Sequence, residues 1–283
     1  MKLQALLEHR FPPQRIAYGP KDTILYALSV GAGADPVDPH QLRLVYEKEL
    51  CALPTMAAVL AHPGAWIANP VFEVNFLKLL HGEQNLTVHR PLPAKGEIAA
   101  SYRVPAVVDK GEGKGALVYF EKQLADSATG ELLCTVSSTL FLRADGGCGS
   151  FGTPPPPLPG GTPGTTDFAD EIKSPLNAAL LYRLNGDLNP IHADPDAARK
   201  AGFERPILHG LCTYGVVGYL LTRTVCGHDP ARLRSLGARF SSPVYPGETI
   251  RVEGARTADG VQFQALVPER SQVVLSQGFA RIA

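Results

Sequence analysis

Hydrophobic and polar positions along this chain follow two different periods. Near the C-terminus Val261, Phe263, Ala265 and Val267 alternate with Gln262, Gln264 and Leu266. That is nearly a period of two, as in a strand with one buried face. Thr249 to Ala255 and Gln272 to Ile282 are read as its neighbours. In the first half, Ile98 to Asp109, Gly115 to Ala125 and Glu131 to Arg143 predict a second set of strands, with a turn over Asp126 to Gly130. Leu211 to Val225 is apolar nearly all round, which predicts a helix buried inside the protein. Pro54 to Leu60 is the matching apolar stretch of the first half and is expected to be helical.

Residues 144 to 165, ADGGCGSFGTPPPPLPGGTPGT, break both patterns. Proline removes amide donors and glycine adds chain entropy, so no packed element is expected there. The segment is read as a linker between an N-terminal unit, 1–143, and a C-terminal unit, 166–283. Each unit runs through the same order. A Tyr-x-Leu segment comes first (Tyr26 to Leu28, Tyr182 to Leu184), then the apolar helical stretch. A proline turn ending in Gly-Glu follows (Pro91 to Glu97, Pro243 to Glu248), and strands close the unit. The expectation is an α+β fold in which a curved antiparallel sheet wraps a long helix, twice, in one continuous sheet. Laying Tyr26 on Tyr182 sets Gly31, Gly33 and Pro36 against Asp187, Asn189 and His192. Only the second half carries groups able to move a proton there, so one active site is expected.

Composition narrows the classes. Formal net charge is zero, which gives no support to a nucleic-acid or anionic-membrane partner. No apolar run approaches the roughly 18 residues that span a bilayer. Met1 to Arg10 carries Glu8, His9 and Arg10 and does not read as a signal peptide. The five cysteines are odd in number and form no Cys-x-x-Cys pair. They read as reduced thiols of a cytoplasmic protein.

The chemistry concentrates in YRLNGDLNPIHADPDAARKAGFERPILHG, residues 182 to 210. Pro190 prevents a regular helix, Asp194 and Pro195 start a short one, and Gly202 ends it. A carboxylate, an amide and an imidazole from one loop suit the handling of a water molecule. Turn formation by Asp187 and Asn189, with His192 a satisfied core residue, is the competing account of the same residues. A metal centre is not expected, since no second histidine stands close in sequence. Gly210 opens the apolar helix, where unpaired amides and the helix dipole favour negative charge. Its N–H could serve a developing oxyanion, or the glycine could simply suit the junction.

Gly186-Asp187-x-Asn189-Pro190-Ile191-His192-x-Asp194-Pro195, with Ala201-Gly202-Phe203 and Pro206 to Gly210, resembles the MaoC-like hydratase family. Leu80 to Gln84, Asp109-Lys110-Gly111 and Arg239 to Pro243 resemble its hydratase 2 branch, found also in peroxisomal multifunctional enzymes. The resemblance implies a double hot-dog fold and an (R)-specific 2-enoyl-CoA hydratase. Asp187 and His192 then hold the water, Asn189 supports them, and Gly210 binds the thioester oxygen. His81, Gly82, Lys110 and Phe240 line the acyl-CoA site. The N-terminal half gives room to bulky acyl chains. A homodimer without metal or redox cofactor is implied, with CoA part of the substrate. Rival expectations are a hydratase for steroid side-chain or acyl-carrier-protein thioesters, a hot-dog thioesterase, and a non-catalytic acyl-CoA-binding subunit.

Overall fold

A computed structural model describes residues 1–161, 163–164 and 166–283. The elements in chain order are α1 (Leu3–Glu8), β1 (Gln14–Tyr18), α2 (Pro20–Ser29) and α3 (Pro39–Val45). Then come β2 (Leu79–Val88), β3 (Gly96–Asp109), β4 (Ala116–Asp126), β5 (Leu132–Leu142) and β6 (Phe151–Gly152). The second half adds β7 (Phe168–Lys173), α4 (Ala178–Tyr182), α5 (Pro195–Lys200) and α6 (Gly210–Thr224). It closes with β8 (Leu233–Phe240), β9 (Thr249–Thr257), β10 (Gly260–Val267) and β11 (Gln272–Ile282).

All eleven strands form one antiparallel sheet, in the order β1-β3-β4-β5-β2-β8-β11-β10-β9-β7, with β6 on β3. The two halves join where β2 pairs with β8. The sheet curls around α6, which is buried from Cys212 to Thr222. Gly215 and Gly218 let the first half come close to this helix. A Cβ at Gly215 would lie 2.7 Å from the Tyr26 hydroxyl and from Val30, and one at Gly218 would lie 2.5 Å from Thr55. This is the α+β double hot-dog architecture.

The first half departs from expectation at Pro54 to Leu60, where no long helix forms. Pro54–Ala58 forms a single buried stretch of 3₁₀-helix. Ala61 then takes a left-handed φ of 49°, and Pro63 and Gly64 follow, so the turn cannot propagate. The sheet supplies the missing hydrogen bonds. Lys122 Nζ donates to the Ala58 and Leu60 carbonyls at 3.1 and 2.5 Å, and the Tyr102 hydroxyl donates to Ala61 at 2.7 Å. Burial pushes the Lys122 ammonium down to about 7. Aromatic rings fill nearby space: Trp66 stacks on Phe120 at 5.0 Å, and Phe11 meets Trp66 at 5.0 Å.

The duplication is visible as contact between corresponding residues. The Tyr26 and Tyr182 rings are 6.3 Å apart. Asn185 donates to the Ser29 hydroxyl at 3.0 Å, and Arg239 donates to Glu83 at 2.6 Å. Each pair is separated by 156 residues. The same offset relates Pro54, at the start of the 3₁₀-helix, to Gly210 at the start of α6. A pseudo-twofold axis therefore runs between the halves.

The start of the expected linker is more ordered than its composition suggests. Phe151 pairs with Val107, and the Asp109 carboxylate accepts the amides of Gly111, Gly147 and Gly149. Thr162 and Thr165, at the far end of the expected linker, lie outside the described residues.

Candidate active site

Local hydrogen bonds fold the loop after α4. Gly186 takes φ 117°, a conformation suited to glycine, and turns the chain outward. The Asn189 amide donates to Asp187 Oδ1 at 3.1 Å. Asn189 Oδ1 in turn accepts the Ile191 amide at 3.2 Å and caps a single 3₁₀ turn, Pro190–His192. Asp194 accepts the Asp196 and Ala197 amides and starts α5. The turn chemistry expected as a rival account is thus present. It coexists with a cluster of reactive side chains.

His192 is buried, and its Nδ1 is 2.8 Å from the Ile207 carbonyl. His209 is buried beside it, and its Nε2 is 3.1 Å from the Asp187 carbonyl. Carbonyls only accept, so each of these ring nitrogens carries the proton. The lone pairs are left on His192 Nε2 and His209 Nδ1. The two rings stack with centroids 3.7 Å apart. One ligating atom from each of Asp187, His192 and His209 lies within 4.8 Å of the others. The expectation that no second histidine is near is corrected here. His209 is distant in sequence but the fold returns it to the loop, because Ile207 and Leu208 pair with Ile191 and Val244.

Electrostatics keep both rings neutral near pH 7. Burial is the largest influence on His192 and holds it below the ordinary histidine value. Burial, then the His192 ring beside it, brings His209 down to about 4. The Tyr182 ring backs His209 at 5.0 Å. Asp187 is exposed and supplies the one carboxylate of the cluster.

Gly210 is the first residue of α6, and the helix's first hydrogen bonds run from Cys212 and Thr213 to His209. The Gly210 N–H precedes them and is free of the ladder. The Phe240 ring lies against this glycine, where a Cβ would come within 3.2 Å of it. Phe240 in turn packs on His81 at 4.7 Å. His81 Nε2 is 3.0 Å from Gln84 Oε1, and burial brings its ring down to about 4. Gly82 sits at the β-bulge where the β2–β5 register shifts, with Thr139's carbonyl 3.2 Å from where a Cβ would stand.

The fold therefore joins Gly210, Phe240 and His81 in one row beside the Asp187 loop. Lys110 stands further out. Its ammonium is 5.1 Å from the centre of the Phe141 ring, and Phe141 pairs with Leu80 next to His81. Asn189 belongs to the loop, but its side-chain oxygen is engaged by the backbone.

Sequence reasoning missed His62. This ring is solvent-accessible yet walled by protein, which brings it down to about 4 against the opposing pull of the Asp187 charge. Its Nδ1 accepts the Gly64 amide at 3.1 Å. In the first half, the counterpart loop at Gly31 and Gly33 borders a cavity of about 330 Å³ with Ile172, Leu208, Cys212 and Val216 in its wall.

Comparison with known proteins agrees along the chain. The MFE-2 hydratase 2 N-terminal domain matches residues 16–144, and the MaoC like domain matches 162–276. "Enoyl-CoA hydratase 2, peroxisomal" of Arabidopsis thaliana is 37% identical over 290 residues, covering 96% of this chain and 92% of that one. The chain belongs to the MaoC-like hydratase 2 family. "Peroxisomal multifunctional enzyme type 2" of Mus musculus is 35% identical over 96% of this chain, which spans 37% of the mouse protein. The crystal structure of a MaoC-like dehydratase from Phytophthora capsici superposes with a TM-score of 0.87 at 30% identity, covering 100% of this chain and 98% of that one. As a member of this family the chain is a hydro-lyase.

Proposed function

We propose that this hydratase 2 family member is an (R)-specific 2-enoyl-CoA hydratase, which reversibly adds water to a trans-2-enoyl-CoA to give the (3R)-3-hydroxyacyl-CoA. The observation that carries this reading is the convergence of the Asp187 carboxylate and the His192 ring, whose Nε2 is left unprotonated, next to the start of α6 with its free N–H. Water donates one hydrogen bond to the Asp187 carboxylate and one to His192 Nε2. The thioester oxygen accepts the Gly210 N–H, which draws electron density from C3. The water oxygen bonds to C3, the π electrons move toward the thioester oxygen, and the water's proton passes to C2 on the same face. Charge on that oxygen is stabilised by the positive end of the helix. His81, Gly82 and Phe240 line the acyl-CoA cleft, and Lys110 offers a positive charge at its outer edge. Asn189 holds the loop in shape.

The addition is redox-neutral, so it requires no electron carrier. We further propose a homodimer, tested by light scattering after size exclusion. A reducing compartment, the cytoplasm, is proposed from the five cysteines, all free in the structure. Among the described residues no helix is long and apolar enough to cross a membrane.

The test follows loss of the enoyl-thioester absorbance and resolves the stereochemistry of the product. Asp187→Asn and His192→Ala should each lower kcat by about 10²- to 10⁴-fold with the far-UV circular dichroism unchanged. Near-normal turnover in both variants, or an (S) product, overturns the assignment.

A further inference from the structure

A carboxylate at the end of β3 gathers two loops. Asp109 Oδ1 accepts the Gly111 amide at 2.9 Å and the Gly147 amide at 2.8 Å, and Oδ2 accepts the Gly149 amide at 2.8 Å. The Asp109 amide donates to the Ser150 hydroxyl at 3.0 Å. Gly111 belongs to the β3–β4 hairpin, 110–115, and the other three partners belong to the chain that follows β5. The two loops are in backbone contact, since a Cβ at Gly146 would stand 2.0 Å from the Gly111 carbonyl oxygen. Gly111, Gly113 and Gly115 all take left-handed φ, so the hairpin has little stiffness of its own. Lys110 stands between the two anchored residues Asp109 and Gly111. We propose that Asp109 is a positioning residue for coenzyme recognition, which ties the hairpin to the Gly147–Gly149 turn so that the Lys110 ammonium meets the phosphates of a CoA thioester. The proposal rests on the hydratase reading and names the group that holds its outermost substrate contact in place.

A lysine side chain is flexible, so its backbone and its packing must place the charge. Lys110 is exposed, and its ammonium rests over the Phe141 ring at 5.1 Å. A ring face orients the ammonium and leaves its charge for an incoming anion. Phe141 pairs with Leu80 on one side, next to His81, and with Leu117 just beyond the hairpin on the other. A shift of the hairpin would therefore carry the ammonium off the ring and away from the cleft. Three amides, that of Gly149 foremost, hold the Asp109 carboxyl below its ordinary value, so near pH 7 it is ionised and only accepts. Asparagine in its place keeps one acceptor oxygen but turns an NH₂ donor toward one of the loops, and the clasp is broken on that side.

The test compares the full chain and its variants on two 2-enoyl thioesters, that of CoA and that of pantetheine, which lacks the nucleotide and its phosphates. The readout is the ratio of kcat/KM for the two substrates at low salt. Asp109→Asn should lower this ratio about 2- to 5-fold, through KM for the CoA substrate. Lys110→Ala should lower it by a similar factor, and Asp109→Asn added to Lys110→Ala should lower it no further. Ser150→Ala removes only the hydroxyl that accepts the Asp109 amide. It should give the same change more weakly, and it decides the matter if Asp109→Asn does not fold. Equal losses with both thioesters, or additive losses in the double variant, overturn the proposal while the hydratase reading stands. A parent protein that hydrates neither thioester overturns both.

Discussion

At the scale of single residues, backbone carbonyls decide the chemistry. The Ile207 and Asp187 carbonyls fix which nitrogen of each histidine is free, and a change of either partner would reverse the lone pair. Gly210 is fixed by a different constraint. A methyl group there would press on the Phe240 ring at 3.2 Å and displace the helix start, the proposed donor to the thioester oxygen. Gly210→Ala should lower kcat by up to about 10²-fold, and adding Phe240→Ala should recover part of that loss in steady-state assays. Lys122 gives a pH dependence whose sign follows from burial. Its folded value is about 7, against 10.5 ordinarily. Between these values the unfolded chain binds the extra proton, so stability rises with pH. Urea midpoints of the parent protein relative to Lys122→Met should therefore increase from about pH 7 to about pH 9. A flat difference would show that the ammonium is not strained by its surroundings.

Secondary-structure elements show where pattern reading succeeds. The strands now labelled β3, β4, β5, β9, β10 and β11 were legible, and β4, β9 and β10 bury every second side chain along most of their length. The helix α6 was legible because it is apolar on every face. The central strands β2 and β8 were not read as strands. In β2 a bulge at Gly82 breaks the period, and Gln84 occupies a buried position that a hydrophobic pattern cannot flag. In β8, Gly237 and the charged Arg234 and Arg239 interrupt the alternation. The first-half helix was over-read, since apolarity between Pro54 and Leu60 reports burial and not length. Asp187 and His192 were singled out by the family resemblance, since their spacing in one loop suits a plain turn equally well, and the structure brings them within 4.8 Å of one another. The His209 contribution was not, because it depends on a return of the chain that only tertiary structure creates. Helix α6 also carries a test of packing. Gly215→Ala would set a methyl 2.7 Å from both the Tyr26 hydroxyl and Val30, and overpacking of this kind costs about 1–3 kcal/mol. A drop in thermal midpoint is expected, and Val30→Ala in the same chain should reverse part of it.

For the whole molecule, the joined sheet makes the two halves one cooperative unit. Strand β2 pairs with β8, and α6 of the second half is buried against Tyr26, Val30 and Thr55 of the first. Separately produced 1–165 and 166–283 should each expose these surfaces and fail to give a sharp unfolding transition, whereas the intact chain should unfold in one step by calorimetry. Two independent transitions in the intact chain would contradict this. The pairs separated by 156 residues have one more implication. Two identical subunits related by a twofold axis bring each axial side chain against its own copy, so glutamate would confront glutamate there and arginine would confront arginine. Glu83 facing Arg239, and Ser29 facing Asn185, are complementary partners that only unlike halves can provide. A covalently joined pair is free of that self-matching, so its halves can differ across the axis, as Asp187 and Asn189 differ from Gly31 and Gly33.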